Sequence, residues 1–132
     1  MRFKSIALLI SAIVITNCSV YSQSAKLIVY RPASAYGSLA KYKVNVDNKE
    51  VTTLKTNSMY EMDLTPGSHT ISAKQMNRAV TIDAKSGETY VVAYKTPLHI
   101  LGAKAKLKTF TLSEAQQNKR FMKVMDNKKS TM

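Results

Sequence analysis

The stretch Tyr60-Glu61-Met62-Asp63-Leu64-Thr65-Pro66-Gly67-Ser68-His69-Thr70-Ile71-Ser72-Ala73 decides how the rest of the chain is read. Tyr60, Met62 and Leu64 alternate with Met59, Glu61 and Asp63, and beyond Thr65-Pro66-Gly67 the residues His69, Ile71 and Ala73 alternate with Thr70, Ser72 and Lys74. A period of two is the pattern of a strand with one apolar and one wet face. Proline followed by glycine fits the central positions of a type II turn, where glycine supplies the positive φ. The stretch therefore predicts two strands joined as an antiparallel hairpin.

Upstream the same period recurs. Leu27 to Tyr30 is a compact apolar run that stops at Arg31-Pro32, where the proline ring removes a backbone donor. Ala33 to Ala40 lacks periodicity and reads as a loop. Tyr42, Val44 and Val46 alternate with Lys43, Asn45 and Asp47, and Asp47-Asn48-Lys49-Glu50 reads as a turn, since Asp and Asn tolerate left-handed angles. Val51 to Leu54 would return antiparallel. Downstream, Val80 and Ile82 mark a strand, Ser86-Gly87 a turn, and Tyr90-Val91-Val92-Ala93-Tyr94 a central strand apolar on both faces. Ala103 to Phe110 alternates Lys104, Lys106 and Lys108 with Ala105, Leu107 and Thr109, as an edge strand protected by charge would. Ser113-Glu114-Ala115-Gln116 has the spacing of a capping box with Ser113 at the cap, opening a helix to about Met125. Residues 127–132 read as a frayed tail.

Short strands at intervals of roughly ten residues point to a mainly β protein. The expected fold is a small antiparallel β-sandwich of about seven or eight strands with one C-terminal α-helix. The 132 residues suit one domain, 23–126, and carry 20 Lys and Arg against 8 Asp and Glu, a net charge of +12. One Cys excludes an internal disulfide, and two His with one Cys exclude a zinc finger.

The amino terminus has the layout of a signal peptide: basic Met1-Arg2-Phe3-Lys4, an apolar stretch from Ile6 to Ile15, then Thr16, Asn17, Cys18 and Ser19. An apolar run of about ten residues is half of what a membrane-spanning helix needs. Two processing routes compete. Cleavage after Ser22, with Val20 and Ser22 as the small residues before the cut, removes 22 of 132 residues and leaves 110, no Cys and a charge of +10. Lipidation at Cys18 is the other route, although Asn17 stands where a lipobox prefers a small residue.

The run Ala25 to Pro32, Gly37-Ser38, Val44 to Lys49, Pro66 to Ala73 and Gly87-Glu88-Thr89-Tyr90 resembles a bacterial envelope family of unknown function, found in small secreted proteins and lipoproteins. Its middle is similar to the PEGA type of β-module, in which a Pro-Gly-x-His turn leads into a strand. Asn48 and Asn57 stand where that module favours glycine. The resemblance implies a β fold and a location in the periplasm or at the cell surface of a bacterium; it brings no catalytic residues.

Catalytic equipment is sparse. Ser68 and His69 are neighbours on a strand and point to opposite faces, so they make no dyad. His69 reads as a structural residue bonding its own turn. His99, in Thr96-Pro97-Leu98-His99, is the position around which an atypical hydrolase site would form. Glu61 and Asp63 share a face that reads as wet. No phosphate-binding loop or metal-ligand spacing is present, and no cofactor is expected. Tyr30, Tyr42, Tyr60, Tyr90 and Tyr94 fall on strands and read as core; Tyr36, in the loop, is the aromatic residue available to a ligand.

The basic excess concentrates toward the C-terminus, where Lys104, Lys106, Lys108, Lys119, Arg120 and Lys123 form a candidate anion- or partner-binding patch. The expected function is a non-catalytic exported envelope protein, binding or structural in role, with envelope proteins or an anionic lipid or glycan surface as partner. Sequence-specific nucleic-acid binding is not expected. The alternatives are a lipoprotein of an envelope complex and a hydrolase-like enzyme near His99.

Overall fold

In a computed structural model, the described residues are 23–34, 39–73, 78–95 and 106–132. They form eight strands and two helices: β1 (Ala25–Arg31), β2 (Tyr42–Val46), β3 (Lys49–Leu54), β4 (Ser58–Leu64), β5 (Gly67–Ala73), β6 (Arg78–Ala84), β7 (Thr89–Lys95), β8 (Lys106–Thr111), α1 (Leu112–Gln116) and α2 (Lys119–Ser130). The strands make two sheets, ordered β4-β1-β7-β8 and β3-β2-β5-β6. The mainly β architecture with a helical C-terminus is the one expected. Residues 1–22, with Cys18, and also Tyr36, His99 and Lys104 lie outside the described residues.

Alternation assigns each side chain to a layer. Leu27 and Val29 of β1, Leu64 of β4 and Val92 and Tyr94 of β7 face Val44, Val46, Leu54, Ile71, Ala73 and Ile82 of the other sheet and form the inter-sheet core. The opposite face of the first sheet is apolar as well. There Ile28, Tyr30, Val91 and Ala93 are covered by Ala115 of α1 and Phe121 and Val124 of α2. Hence β1 and β7, buried on both faces, lie side by side in the centre. Their pairing is parallel, Leu27 against Tyr90 and Ile28 against Val91, and is the exception to an otherwise antiparallel set among the described strands.

The turn at Pro66-Gly67 does reverse the chain, but its flanking strands are not a hairpin. β4 pairs with β1 and β5 pairs with β2 and β6, so the link crosses from one sheet to the other. Gly67 has φ +128°, beyond the value of about +80° at the third position of a type II turn. Turn chemistry reports reversal, not which partner each strand then finds. The true hairpin turn is tighter than Asp47 to Glu50: Val46 pairs with Lys49, and Asp47 (φ 50°) and Asn48 (φ 64°) alone make the corner. Two positive φ values are what a type I′ corner requires. Asn57, at φ 54°, likewise turns the chain where glycine was the usual residue.

The C-terminal helix differs from expectation in three ways. Its cap is Thr111, whose side chain accepts from the Glu114 N–H while the Glu114 carboxylate receives the Thr111 N–H at 2.8 Å. The box is thus Thr111 to Glu114, two residues before Ser113, because Thr111 is the last residue of β8 and extended, as a cap must be. The helix is broken at Asn118, which is extended and caps a second helix by accepting from the Arg120 N–H at 2.9 Å. α2 then runs to Ser130, so the expected tail from Asn127 is helical for four residues. Lys128 holds that last turn to Glu61 of β4 at 3.2 Å.

Candidate functional site

The helix-bearing side of the first sheet carries Lys108, Lys119, Arg120 and Lys123 of the candidate basic patch. Phe110 of β8 packs with the helix cluster, and Lys108 shares its parity; the Lys108 ammonium stands 4.9 Å from the Phe110 ring centroid. That places Lys108 on the same side as α2. On α2, Phe121 and Val124 are buried, and Lys119, Arg120 and Lys123 are exposed. Tyr30 meets Phe121 edge-on, with centroids 5.1 Å apart, and this contact fixes the helix on the sheet. Lys106 lies on β8 opposite Lys95; of Lys104 nothing is described.

The acids of this side are partly engaged. Glu61 was expected on a solvated strand face, yet the helices cover that face in part, and Glu61 pairs with Lys128. Glu114 serves the Thr111 cap; its carboxyl is held below the usual range by the Thr111 N–H and hydroxyl, with a smaller contribution from Lys108. Among the described residues no ion pair uses Lys108, Lys119, Arg120 or Lys123.

A second cluster lies at one end of the sandwich, where the β2–β3 turn meets the β4–β5 crossover. His69 Nδ1 is 2.6 Å from Asp47 Oδ2, and His69 Nε2 is 2.6 Å from the Thr65 carbonyl oxygen. Asp47 Oδ1 accepts the Thr70 N–H at 2.9 Å. These bonds raise the His69 pKa, chiefly through Asp47 and then Thr65, and lower that of Asp47, chiefly through Thr70 and then His69. A general base needs a free ring nitrogen within reach of its proton source. Here both ring nitrogens face acceptors, so His69 is a structural residue in chemistry as well as in position.

The pairing with Asp47 left no trace in sequence spacing. It follows from the ladder that sets Val46 against Ile71, a topology that turn signals do not specify. Arg31 was legible but unread: it shares parity with Leu27 and Val29 and therefore points inward. Fully buried, its guanidinium donates to the Ala40 carbonyl and stacks 4.2 Å from the Tyr42 ring centroid. Burial lowers its pKa. Beyond Tyr42, Tyr94 is fully buried, and its pKa is raised by burial.

Among the described residues, no group of three or more His, Cys, Asp or Glu is placed to hold a metal ion, and no helix is long and apolar enough to cross a membrane. A family described as a protein of unknown function (DUF2846) matches residues 21–104, more than half of the chain. A solved structure, the N-terminal domain of AlgF from P. aeruginosa, is similar over 65% of this chain and 92% of that one, with a TM-score of 0.44 and 17% identity. Comparison with curated proteins finds no match.

Proposed function

The chain belongs to the DUF2846 family, whose function is unknown, and we propose that it is a non-catalytic accessory protein of the bacterial envelope whose helix-bearing face binds an anionic surface. The observation that carries this reading is the set Lys108, Lys119, Arg120 and Lys123, exposed and outside the ion pairs of the described residues while nearby Glu61 and Glu114 are engaged. Lys104 and Lys106 belong to the same proposed patch by sequence. Ammonium and guanidinium groups on one side attract lipid head groups or acidic glycans by displacing their counterions, so affinity falls as salt rises.

The test is binding to anionic and neutral vesicles and to an acidic polysaccharide at low and high salt. Replacing Lys108, Lys119 and Lys123 by Glu lowers affinity for the anionic probe by about tenfold or more at low salt and flattens the salt dependence. Replacing the exposed Lys41, Lys49 and Lys85 by Glu changes net charge equally, away from the α2 face, and leaves most of the affinity. Equal losses in the two triple variants would reduce the effect to net charge and remove the patch.

Export to the envelope is supported by the basic, apolar and small-residue order of Met1 to Ser22. Mass spectrometry of the native amino terminus distinguishes a free Gln23 from a lipid-modified Cys18. An intact Met1 would count against both.

A further inference from the structure

We propose that Asp47, His69 and Thr65 form a proton-operated clasp with two positions, which ties the crossover between the sheets to the β2–β3 turn when the imidazole is charged and loosens it when the imidazole is neutral. The geometry requires a charged ring in the closed position. A carboxylate and a peptide carbonyl only accept, and each lies 2.6 Å from a ring nitrogen. A neutral imidazole has one N–H and would set a lone pair against an oxygen at that distance. Loss of the proton must therefore break one of the two bonds.

The second position is already furnished. The Thr65 hydroxyl stands 3.4 Å from His69 Nε2. A hydroxyl donates as well as accepts, so a deprotonated Nε2 can exchange the Thr65 carbonyl for the Thr65 O–H while Nδ1–H stays on Asp47. The exchange moves the crossover at Thr65 and leaves the Asp47 turn in place. The surroundings add few competing charges: across the ladder His69 faces the apolar Ile82, with Asp83 one residue on, opposite Ser68. On the turn side Asp47 supplies the field, with Lys49 beyond the corner at the start of β3, and on the crossover side Asp63 lies two residues before Thr65.

The sign follows from the two shifts. The raised pKa of His69 makes its contribution complete below the unfolded histidine value of about 6.5 and lost as pH rises through the folded value. The lowered pKa of Asp47 makes its contribution present above the unfolded carboxylate range and lost as pH falls through the folded value. The clasp is closed between those limits.

The experiment is an NMR titration of the His69 ring in the full chain, assigned with His99→Gln, with amide hydrogen exchange on the same sample. The expected midpoint lies above that of a free histidine, Asp47→Asn lowers it, and Thr65→Val, which keeps the carbonyl and deletes the hydroxyl, raises it further. Across the midpoint, protection of Ser68 and His69 falls several-fold relative to Ile71. A midpoint at or below the free value overturns the clasp. So does a Thr65→Val midpoint equal to or below wild type, or a titration that leaves relative protection unchanged.

Discussion

Arg31 shows how a single inward charge is tolerated at the end of an apolar strand. Its guanidinium has no exposure, yet it meets a carbonyl at Ala40 and the face of Tyr42, so both its charge and its plane are used. Replacing it with Ala should lower stability by about 3 kcal/mol, since packing and charge-assisted bonding at a buried site are lost together. Arg31→Lys should recover less than half of that loss, because an ammonium has neither the fork nor the stacking plane. Denaturant unfolding of both variants measures this, and a fully restored Lys variant would show that only the charge matters. Asn48 is the residue-scale counterpart in the backbone: at φ 64°, Asn48→Gly should be tolerated, whereas Asn48→Val should cost about 1–2 kcal/mol.

At the scale of elements, α2 is held by a few contacts. Phe121 fits between the helix and the sheet against Tyr30, while Met122, next in sequence, is 39% exposed. Phe121→Ala should therefore cost about 3–5 kcal/mol. Met122→Ala should stay within about 0.5 kcal/mol. Thermal or denaturant unfolding checks the contrast. The strands were readable because inward and outward residues alternate, and Tyr90 to Tyr94 was readable as central because both faces are apolar. Which strands pair was not. Thr65-Pro66-Gly67 has the chemistry of a hairpin turn, yet Leu64 finds Ala25 and Gly67 finds Ala84, since the apolar faces of β4 and β5 pack across the core. The cap at Thr111 was missed for a similar reason. Ser113 has the right chemistry, but the extended backbone that makes a cap depends on where β8 ends. In the basic patch the lysines could be counted in the sequence; that Glu61 is occupied by Lys128 depends on α2 lying over β4.

Over the whole molecule, the sheet that the helices cover is also the one built from the most distant parts of the chain. β1 reaches β4 within a few dozen residues, but its other neighbour is β7, and β8 and both helices complete the layer only at the C-terminus. The second sheet is local, formed by β2, β3, β5 and β6. A chain ending at residue 86 retains every strand of the second sheet yet lacks half of the first. It should show no cooperative thermal transition, because the inter-sheet core loses Val92 and Tyr94. A cooperative transition in that fragment would mean that the second sheet with β1 and β4 suffices.

The parallel ladder between β1 and β7 also sets an order of events during synthesis. The strand Ala25–Arg31 leaves the ribosome early, but its parallel mate follows about sixty residues later, so one flank of an apolar ribbon waits while most of the polypeptide is made. Until then that flank offers unpaired amides and carbonyls to any passing strand. Assembly is therefore postponed until the last third of the chain arrives, and during that latency a holding chaperone has an obvious place to grip.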